Sequence, residues 1–62
     1  MFKMYIEDGT AAFDDYPATE LARILRDLAE MIEDYGPDAR VPLFDVNGNK
    51  VGEATYERTP YV

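Results

Sequence analysis

Residues 19–37, TELARILRDLAEMIEDYGP, decide the fold. Within them Leu21, Leu25, Leu28, Ile32 and Tyr35 fall at steps of four, three, four and three, the repeat that lays apolar side chains along one face of an α-helix. The spacing predicts a helix that begins near Thr19. The Thr19 hydroxyl can accept an early backbone N–H, Glu20 complements the positive end of the dipole, and Pro17 upstream suits a helix start. Arg23–Asp27 and Arg26–Glu30 are i,i+4 pairs on the outer face, worth ~0.3–0.5 kcal/mol each where exposed. Tyr35-Gly36-Pro37 ends the run, because Gly36 can take a left-handed cap and Pro37 cannot continue a helix.

Outward from the helix, the pattern changes to a period of two. Upstream, Phe2, Met4 and Ile6 alternate with Lys3 and Tyr5 and read as a short strand. A turn follows at Glu7-Asp8-Gly9-Thr10, and residues 11–16 read as an irregular arm. Downstream, residues 40–46 and 50–56 read as two strands joined at Asn47-Gly48, the strongest hairpin signal in the chain. Two registers are open. A two-residue loop pairs Phe44 with Val51, whereas a three-residue loop with a bulge pairs Leu43 with Val51, and the two bury different faces. Pro42 points to a sheet edge or a late strand start, and Pro60 stops any strand in the tail, residues 59–62. The expected fold is a single α+β domain over residues 1–62, ordered β-α-β-β, a three-stranded sheet with one helix packed on one face.

A chain of 62 residues buries only about 60% of the surface its unfolded form exposes. Domains this small usually add disulfides, a metal or a partner subunit. With no Cys and no His, efficient packing and self-association are the obvious remaining supports, so a homo-oligomer is a live expectation. The opening residues, MFKM, lack the apolar run and cleavage site of a signal peptide, and no stretch approaches the ~20 apolar residues of a membrane span. A cysteine-free chain of this kind is expected in the cytoplasm, the host's if the gene is a phage's.

Catalysis is not expected. Without His, Cys or Ser the chain lacks the usual nucleophiles and the side chain that titrates near neutrality. The adjacent pairs Glu7-Asp8, Asp14-Asp15 and Glu33-Asp34 read as solvated charges, and so small a domain has little room for a sequestered pocket. Asp45-Val46-Asn47-Gly48-Asn49 resembles the start of a calcium loop but fails as an EF-hand: Lys50 stands at the glycine position and Tyr56 at the position of the twelfth-residue Glu. No cofactor or metal is expected.

What the composition offers is a surface. The net charge of −7 is large for this size, and residues 7–15 carry −4 with no base among them. Such a charge keeps a small protein soluble. It also opposes direct contact with nucleic acid or anionic membrane and favours a basic partner. Glu20, Asp27 and Asp34 recur every seven residues along one helix flank. They stand about 10.5 Å apart, close to three nucleotide steps of ~3.4 Å. Glu33 and Asp34 occupy the last turn, where negative charge opposes the dipole, with Arg40 available to offset them. Phe13 either folds back on the core or joins Tyr16 as an aromatic anchor of the kind that supplies hot spots.

The stretch from Thr19-Glu20-Leu21 through Leu28, then Tyr35-Gly36-Pro37-Asp38-Ala39-Arg40-Val41 and the hairpin at Asp45-Val46-Asn47-Gly48, covers residues 19–55. It resembles small uncharacterised proteins of phages and actinobacteria that carry a helix, a GPDA-x-V turn and a hairpin. In size and acidity the chain is also similar to phage-encoded inhibitors of host defence, including anti-CRISPR and DNA-mimic proteins. Lopsided acidity on a domain without catalytic equipment leads to the expectation of a non-enzymatic binding protein, of phage or mobile-element origin, that blocks a basic, nucleic-acid-binding surface of a host protein. Glu7, Asp8, Asp14 and Asp15 would then make the charged contact, Phe13 and Tyr16 would be its anchors, and Glu20, Asp27 and Asp34 its flank. Two other readings stand beside it. One is a self-associating structural or ligand-sequestering module with Phe44, Val46 and Val51 at the subunit contact. The other is an immunity protein or antitoxin for a basic toxin.

Overall fold

The computed structural model describes residues 1–36 and 39–57. Pro37 and Asp38 of the expected turn, and the tail beginning at residue 58, lie outside the described residues. The element order is β1 (Phe2–Ile6), a single 3-10 turn η1 (Ala11–Phe13), α1 (Pro17–Tyr35), β2 (Ala39–Phe44) and β3 (Lys50–Tyr56). The strands form one antiparallel sheet in the order β1-β3-β2, with the last strand at the centre. This is the expected β-α-β-β arrangement, with the second strand beginning one residue earlier and ending two earlier than the sequence suggests.

The helix also starts earlier. Pro17 takes the first helical position and Tyr16 the N-cap, without a side-chain cap bond, so Thr19 lies inside the first turn. Proline suits that position because the N–H it lacks would have no intrahelical partner. At the other end the Gly36 N–H donates to the Ile32 carbonyl at 2.9 Å. Gly36 sits at φ +73° and ψ −163°, a conformation essentially reserved for glycine.

The helix faces the sheet with a different edge from the one the leucine spacing predicts. Ile24 and Leu28 are buried and Met31 and Ile32 pack against them, while Leu21, Leu25 and Tyr35 are exposed. At 100° per residue the buried face is rotated by roughly 50° from the expected stripe. The cause lies at Glu20, which is buried and is held there by partners described below. The remaining core is Val41 and Leu43 of β2, Val51 and Ala54 of β3, and Phe13 of η1.

The hairpin follows neither register read from the sequence. Asp45 pairs with Asn49 around a three-residue loop, with the Asp45 N–H on the Asn49 carbonyl at 2.9 Å and the Gly48 N–H on the Asp45 carbonyl at 3.0 Å. Gly48, the loop's one glycine, takes positive φ, at +87°. Phe44 then pairs with Lys50, but Leu43 pairs with Gly52, so Val51 is an extra residue in β3. This bulge lets Val51 and Gly52 both be buried, which strict alternation would forbid. A Cβ on Gly52 would run into the Tyr5 carbonyl of β1, so the bulge brings the two backbones too close for any side chain there.

Candidate functional site

The connection between β1 and α1 passes over the same end of the molecule as the β2–β3 turn and the first turns of the helix. Three contacts tie these segments together. The Thr10 hydroxyl donates to Asp45 Oδ2 at 2.7 Å, the Val46 N–H donates to Glu20 Oε2 at 2.8 Å, and Arg23 Nη2 donates to the Phe44 carbonyl at 3.1 Å.

Two buried carboxylates organise this end. Glu20 accepts two bonds from Arg23, Nε to Oε1 at 2.9 Å and Nη2 to Oε2 at 3.0 Å. Those bonds hold its pKa below the ordinary value; burial pushes the other way, and the Val46 N–H adds to the lowering. Arg23 is raised in turn, first by its bond to Glu20. Asp45 Oδ1 accepts the backbone N–H groups of Asn47 and Asn49 at 2.9 and 2.8 Å, and Oδ2 accepts the Asn49 side-chain amide at 3.0 Å as well as Thr10. Burial would raise the Asp45 pKa, but the Thr10 hydroxyl, the Asn49 side chain and the two backbone donors outweigh it and hold it at about 2. No buried side-chain oxygen or nitrogen among the described residues is left without a partner. Buried charge persists only when it is satisfied in this way.

Of the residues the sequence nominates for partner contact, Glu7, Asp8, Asp14, Asp15 and Tyr16 are exposed. They lie on the two stretches that flank η1, and none of the four acids has an ion-pair partner among the described residues. Tyr16 is 74% exposed. Phe13 is corrected: its ring is buried among the core residues because η1 turns it inward against the helix. Glu20 is corrected too, its carboxylate turned onto Arg23 and the hairpin instead of along the flank. Asp27 and Asp34 are exposed on α1, and Asp27 shares Arg23 through Nη1 at 3.0 Å. The flank therefore keeps two of its three acids, one of them already paired.

Other expected contacts also differ. Arg23–Asp27 forms, whereas Arg26–Glu30 is not among the ion pairs of the described residues. Arg40 lies 3.6 Å from Glu53, which Lys50 also approaches at 3.4 Å, so Arg40 is engaged on the open face of the sheet instead of at the helix C-terminus. Val51, expected at a subunit contact, is in the core, while Phe44 and Val46 are exposed.

Two shallow grooves run along the sides of α1. One, of about 330 Å³, lies between α1 and β2 and is lined by Met31, Tyr35, Pro42 and Phe44 with Arg23 and Asp27 at its rim. The other, of about 260 Å³, lies where Ile6, Phe13, Pro17 and Leu21 meet. Asp27 and Asp45, which also line the first groove, are engaged by Arg23 and by Thr10 and the hairpin turn. Among the described residues no three carboxylates are grouped to hold a metal ion, and no helix is long and apolar enough to cross a membrane.

The sequence reading missed Thr10, Arg23 and Asp45 as the fasteners of this end. For Asp45 a signal exists: Asp-x-Asn-Gly-Asn is turn chemistry in which the first carboxylate caps the loop's own N–H groups. For Glu20 the signal is weaker, an Arg one turn ahead that can neutralise it. Searches against protein-family models, curated proteins and solved structures found no match to this chain.

Proposed function

We propose that this chain is a small non-enzymatic binding protein that uses the acids around η1 to occupy a basic, nucleic-acid-binding surface of another protein. The observation that carries the reading is the set of exposed acids Glu7, Asp8, Asp14 and Asp15 beside the exposed Tyr16, with none of those acids neutralised from within the described residues. Acids in need of internal partners, Glu20 and Asp45, are given them at the same end. The fixed hairpin and helix start hold the arm in place, so little ordering is left to be done on binding. Desolvated Tyr16 supplies the aromatic anchor and the carboxylates supply long-range attraction.

In its fullest form this reading is a phage or mobile-element inhibitor of a host defence protein, working as a mimic of the phosphate backbone. An immunity protein for a basic toxin would use the same face, and gene neighbourhood separates the two. The test is charge reversal at exposed positions. Asp14→Lys with Asp15→Lys should leave the fold intact and weaken partner binding at least ~10-fold at moderate salt. Unchanged affinity in that double variant would sink the reading.

A further inference from the structure

The two edges of the sheet are not equivalent. In an antiparallel ladder, residues that turn N–H and C=O toward the neighbour alternate with residues that turn them away. The Glu7 N–H donates to the Val51 carbonyl at 2.7 Å and the Glu57 N–H to the Met1 carbonyl at 2.9 Å. Residues 1, 3, 5 and 7 therefore face β3, and Phe2, Met4 and Ile6 turn three N–H and three C=O groups outward. On β2 the same alternation turns Arg40, Pro42 and Phe44 outward. Pro42 has no N–H to offer, and the Phe44 carbonyl is already taken by Arg23 at 3.1 Å. The β2 edge is blunted twice, whereas among the described residues nothing blunts the β1 edge.

The side chains next to the open edge are also short of cover. The helix packs chiefly on β2 and η1, and on β1 Phe2 is 46% exposed while Met4 and Ile6 are only half-buried. On the helix flank that faces this edge, Leu21 and Leu25 are 41% and 40% exposed. An apolar strip thus runs along the edge that the described residues leave open to a further strand.

We propose that the β1 edge pairs with the β1 edge of a second copy of this chain, making a two-fold dimer with a continuous six-stranded sheet. Antiparallel pairing centred on Met4 sets Phe2 opposite the partner's Ile6 and Met4 opposite the partner's Met4, so every outward N–H and C=O of the strand is used. Two-fold pairing of this kind keeps both helices on one face, and their Leu21 and Leu25 flanks then cover the seam. Charge selects the partner. On the face away from the helices Lys3 stands opposite the partner's Tyr5 and diagonal to the partner's Glu7, within reach of a long side chain. The symmetry makes this contact twice. Lys3 is the only base in the first 22 residues, and it lies on this strand.

The pairing uses Glu7 but neither Asp14, Asp15 nor Tyr16, so it stands or falls apart from the acidic-surface reading. Sedimentation equilibrium of the full chain from ~1 µM to ~1 mM should show conversion from a 7.1 kDa species to one of twice that mass. Lys3→Glu should weaken the dimer about ten-fold by setting like charges diagonal at both ends of the seam. Adding Glu7→Lys should restore it. Amide exchange of Met4 and Ile6 in the unaltered chain should slow as concentration rises. A species that stays at 7.1 kDa up to ~1 mM overturns the proposal and leaves the edge to a strand of another protein. So does a dimer indifferent to Lys3→Glu, or exchange at Met4 and Ile6 that ignores concentration.

Discussion

Glu20 and Arg23 form a two-pronged carboxylate–guanidinium pair across one helical turn, at 2.9 and 3.0 Å, and each also holds the β2–β3 turn region. Glu20 does so through the Val46 N–H and Arg23 through the Phe44 carbonyl. The pair converts a helix position that the hydrophobic pattern assigns to solvent into the joint between α1 and the hairpin. A planar fork makes these bonds together, and an ammonium cannot. Arg23→Lys should therefore lower the melting temperature nearly as much as Arg23→Ala. Glu20→Gln and Arg23→Ala should each be destabilising, and the double variant should lose less than the two single losses added, since each single change strands the other partner. Thermal unfolding followed by circular dichroism checks all four.

Stability should fall in acid over a defined window. Asp45 is held at about 2 against an unperturbed 3.8, and Glu20 is lowered in the same direction. The folded state therefore binds these protons less tightly than the unfolded chain. Their contribution is complete above about pH 5, clear of the unperturbed 3.8 and 4.5, and is lost as pH falls through the folded values, for Asp45 about 2. Asp45→Asn should be less stable at neutral pH, because an amide cannot accept all four donors. It should also show a flatter decline between about pH 4 and pH 2. Melting temperatures across that range decide the matter.

The bulge in β3 makes Gly52 sensitive in a way that its position in a strand conceals. Gly48→Ala should cost about 1 kcal/mol, the ordinary charge for forcing positive φ on a side-chain-bearing residue. Gly52→Ala should cost more, ~1–3 kcal/mol or above, since its methyl group meets the Tyr5 backbone, which can yield only by spreading the sheet. Urea midpoints of the two variants should rank in that order.

The two aromatic residues of the arm should separate cleanly. Phe13→Ala removes a buried core ring and should cost ~3–5 kcal/mol, enough to unfold most molecules of so small a domain. Tyr16→Ala, at an exposed helix cap, should change stability by less than ~0.5 kcal/mol. It should nonetheless weaken partner binding by about ten-fold or more if it is the anchor. Equal effects of the two on stability would contradict the assignment.

The order of elements was legible because period-two and period-3.6 patterns are separated by strong punctuation at Gly9, Pro17, Gly36 and Asn47-Gly48. β1 and β3 fall where alternation puts them. The helix face was legible only in part. Ala18, Leu21, Ala22 and Leu25 widen the apolar arc beyond what the sheet can cover, so spacing alone allows several rotations. The choice was made by Glu20, whose burial depends on an Arg neighbour and on a hairpin N–H more than twenty residues away. The register was out of reach for a similar reason. The extra residue at Val51 goes with burial of both Val51 and Gly52, and local turn preference at Asn47-Gly48 carries no trace of it. For the acidic surface, exposure of Asp14 and Asp15 follows from composition, but the inward turn of Phe13 follows from the 3-10 turn that carries it.

Whether the acidic arm stands in for a phosphate backbone is decided by capture of partners by the tagged protein from bacterial lysate at ~50 mM and ~500 mM salt, with and without competing duplex DNA. Phosphate mimicry by the acidic arm predicts a nucleic-acid-binding protein that is held at low salt, released at high salt and displaced by DNA, and that the Asp14→Lys, Asp15→Lys variant fails to capture. A partner retained at high salt and indifferent to DNA, or one captured equally by the charge-reversed variant, would contradict it.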